Sequence, residues 1–324
     1  MDIFRKINVS DQYFTLFLIF LAYYLETKRF FSNFAENRKD SVRRITYILF
    51  AMLLLCSACE FRLRPNEDEQ DASHIHVERY DRLQSRYLIT GDFSALQQMN
   101  TEYPIETRTL VEKMLQIGDV SDHNINEKFL RFYQDSTLQT LIGDAESEYA
   151  NMDDLNEGFR LAFRQLQSWI PGLPIPRIYA QIGALDQSIV VGDRVIGISL
   201  DKYMGSKYPL YQRYGYSPEQ LSTMGRNFIV PDALSFYLLS LYPMANYDRR
   251  SQMEKDLHMG KVMWVVNKAT GMKMFNTDFV KMVDRYMHRH HKVTVSELLE
   301  CDNYSKLLLS GKTPKSIKIL PEAP

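Results

Sequence analysis

Cysteine is nearly absent from this chain, with three residues among 324, at Cys56, Cys59 and Cys301. The first two share one short apolar stretch near the N-terminus. With Cys56 removed and Cys59 modified, Cys301 has no intramolecular partner, which excludes a structural disulfide. Outside the short apolar stretch no cysteine pair has zinc spacing, and the HExxH, GxSxG and P-loop patterns are all missing, so no catalytic residue, metal ligand or cofactor follows from a motif. An excess of either charge is lacking as well. Lys and Arg number 39 against 40 Asp and Glu, interspersed, leaving no basic stripe to follow a phosphate backbone and excluding nucleic acid as the expected partner. Long apolar runs are also missing. Neither Tyr13–Leu25 nor Ile45–Leu55 reaches the roughly 20 residues that cross a bilayer.

The N-terminal stretch RRITYILFAMLLLCSACE, residues 43–60, supplies a basic start, a short apolar core and the small pair Ser57-Ala58 in the order of an export signal. A cysteine directly after such a pair is the acceptor of a diacylglyceryl thioether. The reading is a lipoprotein signal over 43–59 that ends at a lipidated Cys59, with Cys56 standing where leucine is usual at position minus three. Residues 1–42 read as an extension, either a second membrane element or sequence upstream of a true start near Val42. Residues 60–74 are polar and charged and read as a flexible tether. Residues 75–324 then form one globular domain, with 45% hydrophobic and 24% charged residues over the whole chain giving ordinary material for a core. The chain is thereby expected at the cell envelope, held to a membrane by its lipid and facing the periplasm.

Within the domain, His74–Tyr80 alternates apolar with polar residues and predicts a first strand. Pro104 suits a first helical position, with Leu110, Val111, Met114 and Leu115 as an apolar face behind it. Over 145–170, Tyr149, Met152, Leu155, Phe159, Phe163 and Leu166 recur at steps of three and four and predict one long buried-face helix. Pro171–Arg177 stops it. Ile178–Ile182 and Ser188–Leu200 predict strands, the second folded into a hairpin at Gly192-Asp193. Helices follow, with Val230, Leu234, Tyr237, Leu238 and Leu241 on one face and Met253, Leu257 and Trp264 on another. Thr294 with Glu297 forms a capping box. The fold class is α+β, a helix-rich single domain with a small central sheet.

Sites are few. His288, His290 and His291 in MHRHH are the best metal candidates by residue type, but Arg289 among them repels a cation. Their place at a helix C-terminus suits a positive charge on its own account. His74 and His76 lack a carboxylate partner. Asp153, Asp154 and Glu157 suit the solvated face of an amphipathic helix. Asp201, Lys202 and Tyr203 follow a buried strand, where function often sits, or else form a turn whose Asp and Lys pair locally.

The stretches IHVERYD, GISLDKYMGSKYPLY, IVPDALSFYLLSLYP, EKDLHMGKVMWVV and VDRYMHRHHKVTVSELLECDNYSKLLLSGKTP, in this order behind a lipoprotein signal, resemble the gliding-motility lipoprotein GldB family of Bacteroidota. Here Asn267–Phe279 makes a shorter connection between two helices than the family has, marking a shortened branch. The family is similar in outline to gluzincin peptidases, which implies a zincin-like scaffold. Its first helix would begin at Val230-Pro231-Asp232, its second would carry His258, Gly260 and Lys261, and neither offers a zinc ligand set. The resemblance implies a non-catalytic envelope lipoprotein that binds unidentified envelope proteins. Asp201, Lys202, Tyr208 and Lys261, taken as exposed, are the candidate partner surface. The alternative is a hydrolase in which Asp201, Asp232 and the His288 cluster converge in one pocket.

Overall fold

A computed structural model describes residues 72–308, which fall within one compact unit. The extension, the signal, Cys59, the tether up to residue 71 and the last stretch from residue 309 lie outside the described residues. The expected tether nevertheless ends early, because Ala72–His74 is a 3-10 turn with Ala72 buried.

The first strand is shorter than its alternation suggests: β1 is Val77–Glu78, and Tyr80 already opens a helix. Ile75 and Val77 are buried while His74 and His76 are exposed, so the alternation was correct about faces but not about length. The helices α1 Tyr80–Thr90, α2 Phe93–Glu102 and α3 Pro104–Arg108 follow, with Pro104 in the first turn as expected. A π-helix continues α3 over Thr109–Met114, burying Leu110, Val111 and Met114. Next come α4 Ile125–Phe132, α5 Ser136–Glu148 and α6 Asp153–Trp169.

The face from Tyr149 to Leu166 is buried at every expected position, yet it belongs to two helices, not one. The chain breaks between Glu148 and Asp153, and a distant side chain makes the break tolerable. Arg226 donates to the carbonyls of Glu148 (3.1 Å) and Asn151 (2.6 Å), grips the Asp154 carboxylate, and lies 4.8 Å over the Tyr149 ring. Carbonyls freed at a helix end need such donors.

The strands β2 Arg177–Gln181, β3 Ile189–Gly192 and β4 Val195–Ser199 complete a sheet of order β1-β2-β4-β3. β1, β2 and β4 run parallel, and β3 pairs antiparallel with β4 through the expected hairpin, its turn at Asp193-Arg194 with Arg194 at φ +56°. Gly197 faces Tyr179 across the ladder, and a Cβ there would lie 2.5 Å from the tyrosine oxygen. The ring therefore lies flat against bare backbone. Arg177, at the start of β2, ties Glu106 of α3 and Glu78 of β1 together, so an almost fully buried carboxylate is paired with a cation, as burial requires.

The 3-10 turn Leu200–Lys202 leads to the short helices α7 Pro209–Arg213 and α8 Pro218–Leu221, then α9 Ile229–Leu241 and α10 Gln252–Thr270. α9 packs on β3 and β4, and α10 lies beside α9 and α6. α11 Asp278–Arg289, α12 Val295–Glu300 and α13 Tyr304–Leu308 close the described chain, with Thr294 and Glu297 forming the expected capping box. The architecture is helix-rich α+β with a small four-stranded sheet. Among the described residues, no helix is long and apolar enough to cross a membrane.

Candidate functional site

The turn after β4 carries Asp201 and Lys202, two of the four residues expected on a partner surface. Asp201 is fully buried, and its two oxygens accept the backbone N–H groups of Gly183 (2.8 Å) and Leu185 (2.5 Å). Between them Ala184 and Leu185 sit at φ +52° and +64°, a region that side chains other than Gly and Asn seldom occupy. The carboxylate therefore holds a strained loop in place. Burial raises its pKa although both N–H donors favour the ionised form. The expectation of an exposed Asp201 is thereby corrected, because the charge faces backbone donors and not solvent. Lys202 does not pair with Asp201 through a hydrogen bond; its ammonium donates to the Leu185 carbonyl (3.2 Å) and Tyr216 Oη (3.0 Å). Half-buried Tyr208 donates to Asp144 at 2.8 Å, and Tyr211 donates to the Asp201 carbonyl while accepting from Met204 N. Within LDKYMG, Asp201 and Lys202 are engaged inside the fold, largely by the backbone of the 183–185 loop.

α9 and α10 lie side by side, but their marked residues turn to different partners. Asp232 accepts from Tyr203 Oη at 2.9 Å, and burial pushes its pKa up to about 6. On α10, Lys261 is fully buried and donates to the carbonyls of Leu299 (3.3 Å) and Cys301 (2.7 Å), supplying donors to the C-terminal end of α12. Burial lowers its pKa to about 8. The expected exposure of Lys261 is corrected for this reason: a cation is favourable against carbonyls at a helix C-terminus. His258 Nδ1 meets Tyr304 Oη at 2.9 Å, while Nε2 is buried without a partner of normal geometry. Arg250 lies 5.3 Å over the same Tyr304 ring. HMGK is thus a latch that holds α12 and α13 on α10.

Gly260 completes the latch. A Cβ there would stand 2.7 Å from Phe279 Cβ and 3.1 Å from its carbonyl carbon, so α11 can approach only bare backbone. Gly260→Ala is expected to lower stability by about 1–3 kcal/mol through overpacking, read as a lower urea midpoint at unchanged slope.

The histidines do not join these groups. His288 and Arg289 occupy the last turn of α11; His288 Nδ1 faces the Asp284 carbonyl, and the His290 ring stacks on Tyr286 at 4.2 Å. Asp153, Asp154 and Glu157 are exposed on α6, with Asp154 held by Arg226 and Glu157 by Arg160. Asp201, Asp232 and the His288 cluster have no contact in common. Among the described residues, no group of three His, Cys, Asp or Glu side chains is placed to hold a metal ion.

The feature with the shape of a site lies elsewhere, at the π-helix. A cleft of about 430 Å³ opens between α2, α3, the π-helix and α4, within the size range of ligand and anchor pockets. Its wall includes Leu96, Val111 and Phe129 as apolar surface and Asn100, Arg108 and His123 as polar surface. The π-helix contributes Val111 to the wall. Leu115 N bonds back to Leu110 O and Ile117 N to Val111 O, a widened turn of the kind found often at functional sites. The opposite rim is fixed by side chains: Asp119 accepts from Ser121, Asp122 from Asn124 N and Lys128, and Glu112 from Val120 N.

The helices that wall the cleft also carry large apolar side chains in the open. Phe93 is 74% and Ile105 68% exposed, and Phe132 is 39% exposed. Phe93 precedes Leu96 by three residues on α2 and Phe132 follows Phe129 by three on α4, which places each on the same helix face as its cleft-lining neighbour. Phe93 and Phe129 also flank one Tyr87 ring, at 6.3 and 6.2 Å. Sequence had marked Pro104, Val111 and Met114 only as a helix face. The available signal was the Asp- and Asn-rich run after Gly118, which announces Asx turns; nothing local announced the π-helix.

No curated protein and no solved structure matches the chain. The family model of gliding motility protein GldB matches residues 64–274, which covers β1 to α10 and the whole cleft and stops before α11. The VDRYMHRHH stretch thus lies beyond the match. With the match spanning well over half of its length, the chain belongs to the GldB family of gliding-motility lipoproteins.

Proposed function

We propose that this chain is a non-catalytic lipoprotein of the cell envelope that docks a protein partner at the α2–α4 cleft, in gliding motility or a related envelope role. The carrying observation is a concave, partly polar cleft between helices that also leave Phe93, Ile105 and Phe132 in solvent. Exposed apolar surface beside a cleft is characteristic of interaction sites. The buried polar groups of the family-like motifs support the same reading from the other side, since Asp201, Asp232 and Lys261 are engaged within the fold. In this reading Cys59 carries the lipid and the domain faces the periplasm. The side-by-side α9 and α10 stand as the remnant of a peptidase-like scaffold without its metal.

The anchor is tested by intact-mass spectrometry on protein from native membranes. The expected result is a mature chain beginning at Cys59 with the mass of its lipid, lost in Cys59→Ala. A chain beginning at Met1 with unmodified Cys59 would contradict it. The docking role is tested by Phe93→Ser, with Ile105→Ser beside it, in a complementation assay of envelope function. Loss of function with an unchanged unfolding midpoint is expected, because both side chains are exposed and surface changes usually shift stability by less than about 0.5 kcal/mol.

A further inference from the structure

We infer that the cleft takes an apolar peptide segment that carries an acidic residue, with its carboxylate at Arg108 and His123 and its apolar side chains against Phe93, Ile105 and Phe132. The inference rests on the docking role of the cleft and adds the chemistry of the occupant.

Charge is the first argument. Of the acids near the cleft, Asp122 is paired with Lys128 at 2.6 Å and also accepts from Asn124 N, while Asp119 accepts both the N–H and the hydroxyl of Ser121. Glu112 accepts from Val120 N at 3.0 Å. Arg108 comes within ion-pair distance of Glu112, at 3.9 Å, and its charge also acts on Asp119, but among the described residues it donates no hydrogen bond and it is 66% exposed; His123 lies 3.5 Å from Asp122 and is 88% exposed. The acids are already engaged, whereas Arg108 presents its planar donors to the opening. A guanidinium in that state matches a carboxylate in a bidentate manner.

Shape and polarity give the second argument. The side-chain amides of Asn100 and Asn126, both in the wall, make no hydrogen bond among the described residues and can serve the backbone of an inserted segment. Peptide backbone needs such partners when water is displaced. A bilayer surface offers no protrusion to fill a concave, amide-lined cleft, so a peptide fits the wall better than a membrane does.

The test uses the full chain in detergent micelles and fluorescent octamer peptides of Leu, Ile and Phe with a central Asp, Asn or Lys. The Asp peptides are expected to bind about tenfold more tightly than their Lys counterparts, equivalent to about 1.4 kcal/mol. Arg108→Glu should reverse that preference, and Phe93→Ser should weaken all three sets. Unchanged unfolding midpoints establish that both variants are folded. Equal affinity for Asp, Asn and Lys peptides that still falls in Phe93→Ser would overturn the acidic specificity and leave the docking role standing. Binding of no peptide would overturn both. So would Phe93-dependent binding to phosphatidylethanolamine–phosphatidylglycerol vesicles in its place, which would assign the face to the membrane.

Discussion

Asp201→Ala is expected to lower the unfolding free energy by about 4 kcal/mol, a large share of the roughly 5–15 kcal/mol that holds a typical domain. The carboxylate supplies the acceptors for Gly183 N and Leu185 N in a site without solvent. Each buried donor left without a partner costs about 1–3 kcal/mol. The loop it clamps holds Ala184 and Leu185 at positive φ, so removing the clamp also lets some strain relax, which offsets part of that cost. The same loop is gripped by Gln84, which exchanges two hydrogen bonds with Ile182, and by Tyr133, which donates to the Ile182 carbonyl. The variant should therefore remain folded at low temperature, with a reduced urea midpoint. Asp201→Asn keeps one acceptor and should lose about half as much. A loss below 1 kcal/mol for Asp201→Ala would mean that the loop is held without the carboxylate.

The second large effect is a pair of opposed pH dependences hidden in the parent chain. Burial raises Asp232 to about 6 from an ordinary 3.8, so the folded state holds this proton more tightly than the unfolded state does. Its contribution to stability is complete below pH 3.8 and is lost as pH rises to about 6. Burial, aided by the nearby Lys261 charge, lowers His258 to about 4 from 6.5. Here the unfolded state binds the proton more tightly, so stability is lost as pH falls from 6.5 to about 4. The change from 3.8 to about 6 and that from 6.5 to about 4 each correspond to about 3 kcal/mol, with opposite sign. The two groups have separate partners, Tyr203 and Tyr304, so their effects should add.

Asp232→Asn preserves an acceptor for Tyr203 and removes the falling arm. Relative to the parent, its stability should climb by about 3 kcal/mol between pH 4 and 6, ending more stable than the parent at pH 7.5. His258→Gln removes the rising arm, and its stability relative to the parent should fall by a similar amount over pH 4 to 6.5. Urea midpoints at half-unit pH steps decide it. Parallel curves for parent and variants would show that neither group titrates in that window.

Much of the scaffold could be read from the sequence. Tyr149 to Leu166 occupy one buried stripe because side-chain direction follows helical period. Pro104 opens α3 because its missing N–H costs nothing there, and Thr294 caps α12 through its own Glu297. The hairpin was legible for the same reason, since strand alternation and turn chemistry act over a few residues, although its turn falls one residue later than Gly192-Asp193, at Asp193-Arg194. Family membership was legible from the order of such stretches, as the match over 64–274 bears out.

What the sequence misjudged are groups whose partners come from far along the chain. Asp201 and Lys261 look like surface residues because charged side chains are seldom fully buried unless paired. Their partners are backbone groups at 183, 185, 299 and 301, and backbone leaves no mark in composition. The long helix expected over 145–170 is two helices because Arg226 supplies donors to the carbonyls of the break, while the periodicity passes across it unchanged. The cleft has a π-helix in its wall and depends on which apolar side chains the neighbouring helices leave uncovered.

Local propensity and periodicity, carried by residues within a turn or two of one another, set the α+β class and the element faces. Tertiary structure alone decided which charges are buried, where helices break and where a cleft stays open, because those outcomes depend on hydrogen-bond and packing partners that only folding brings together.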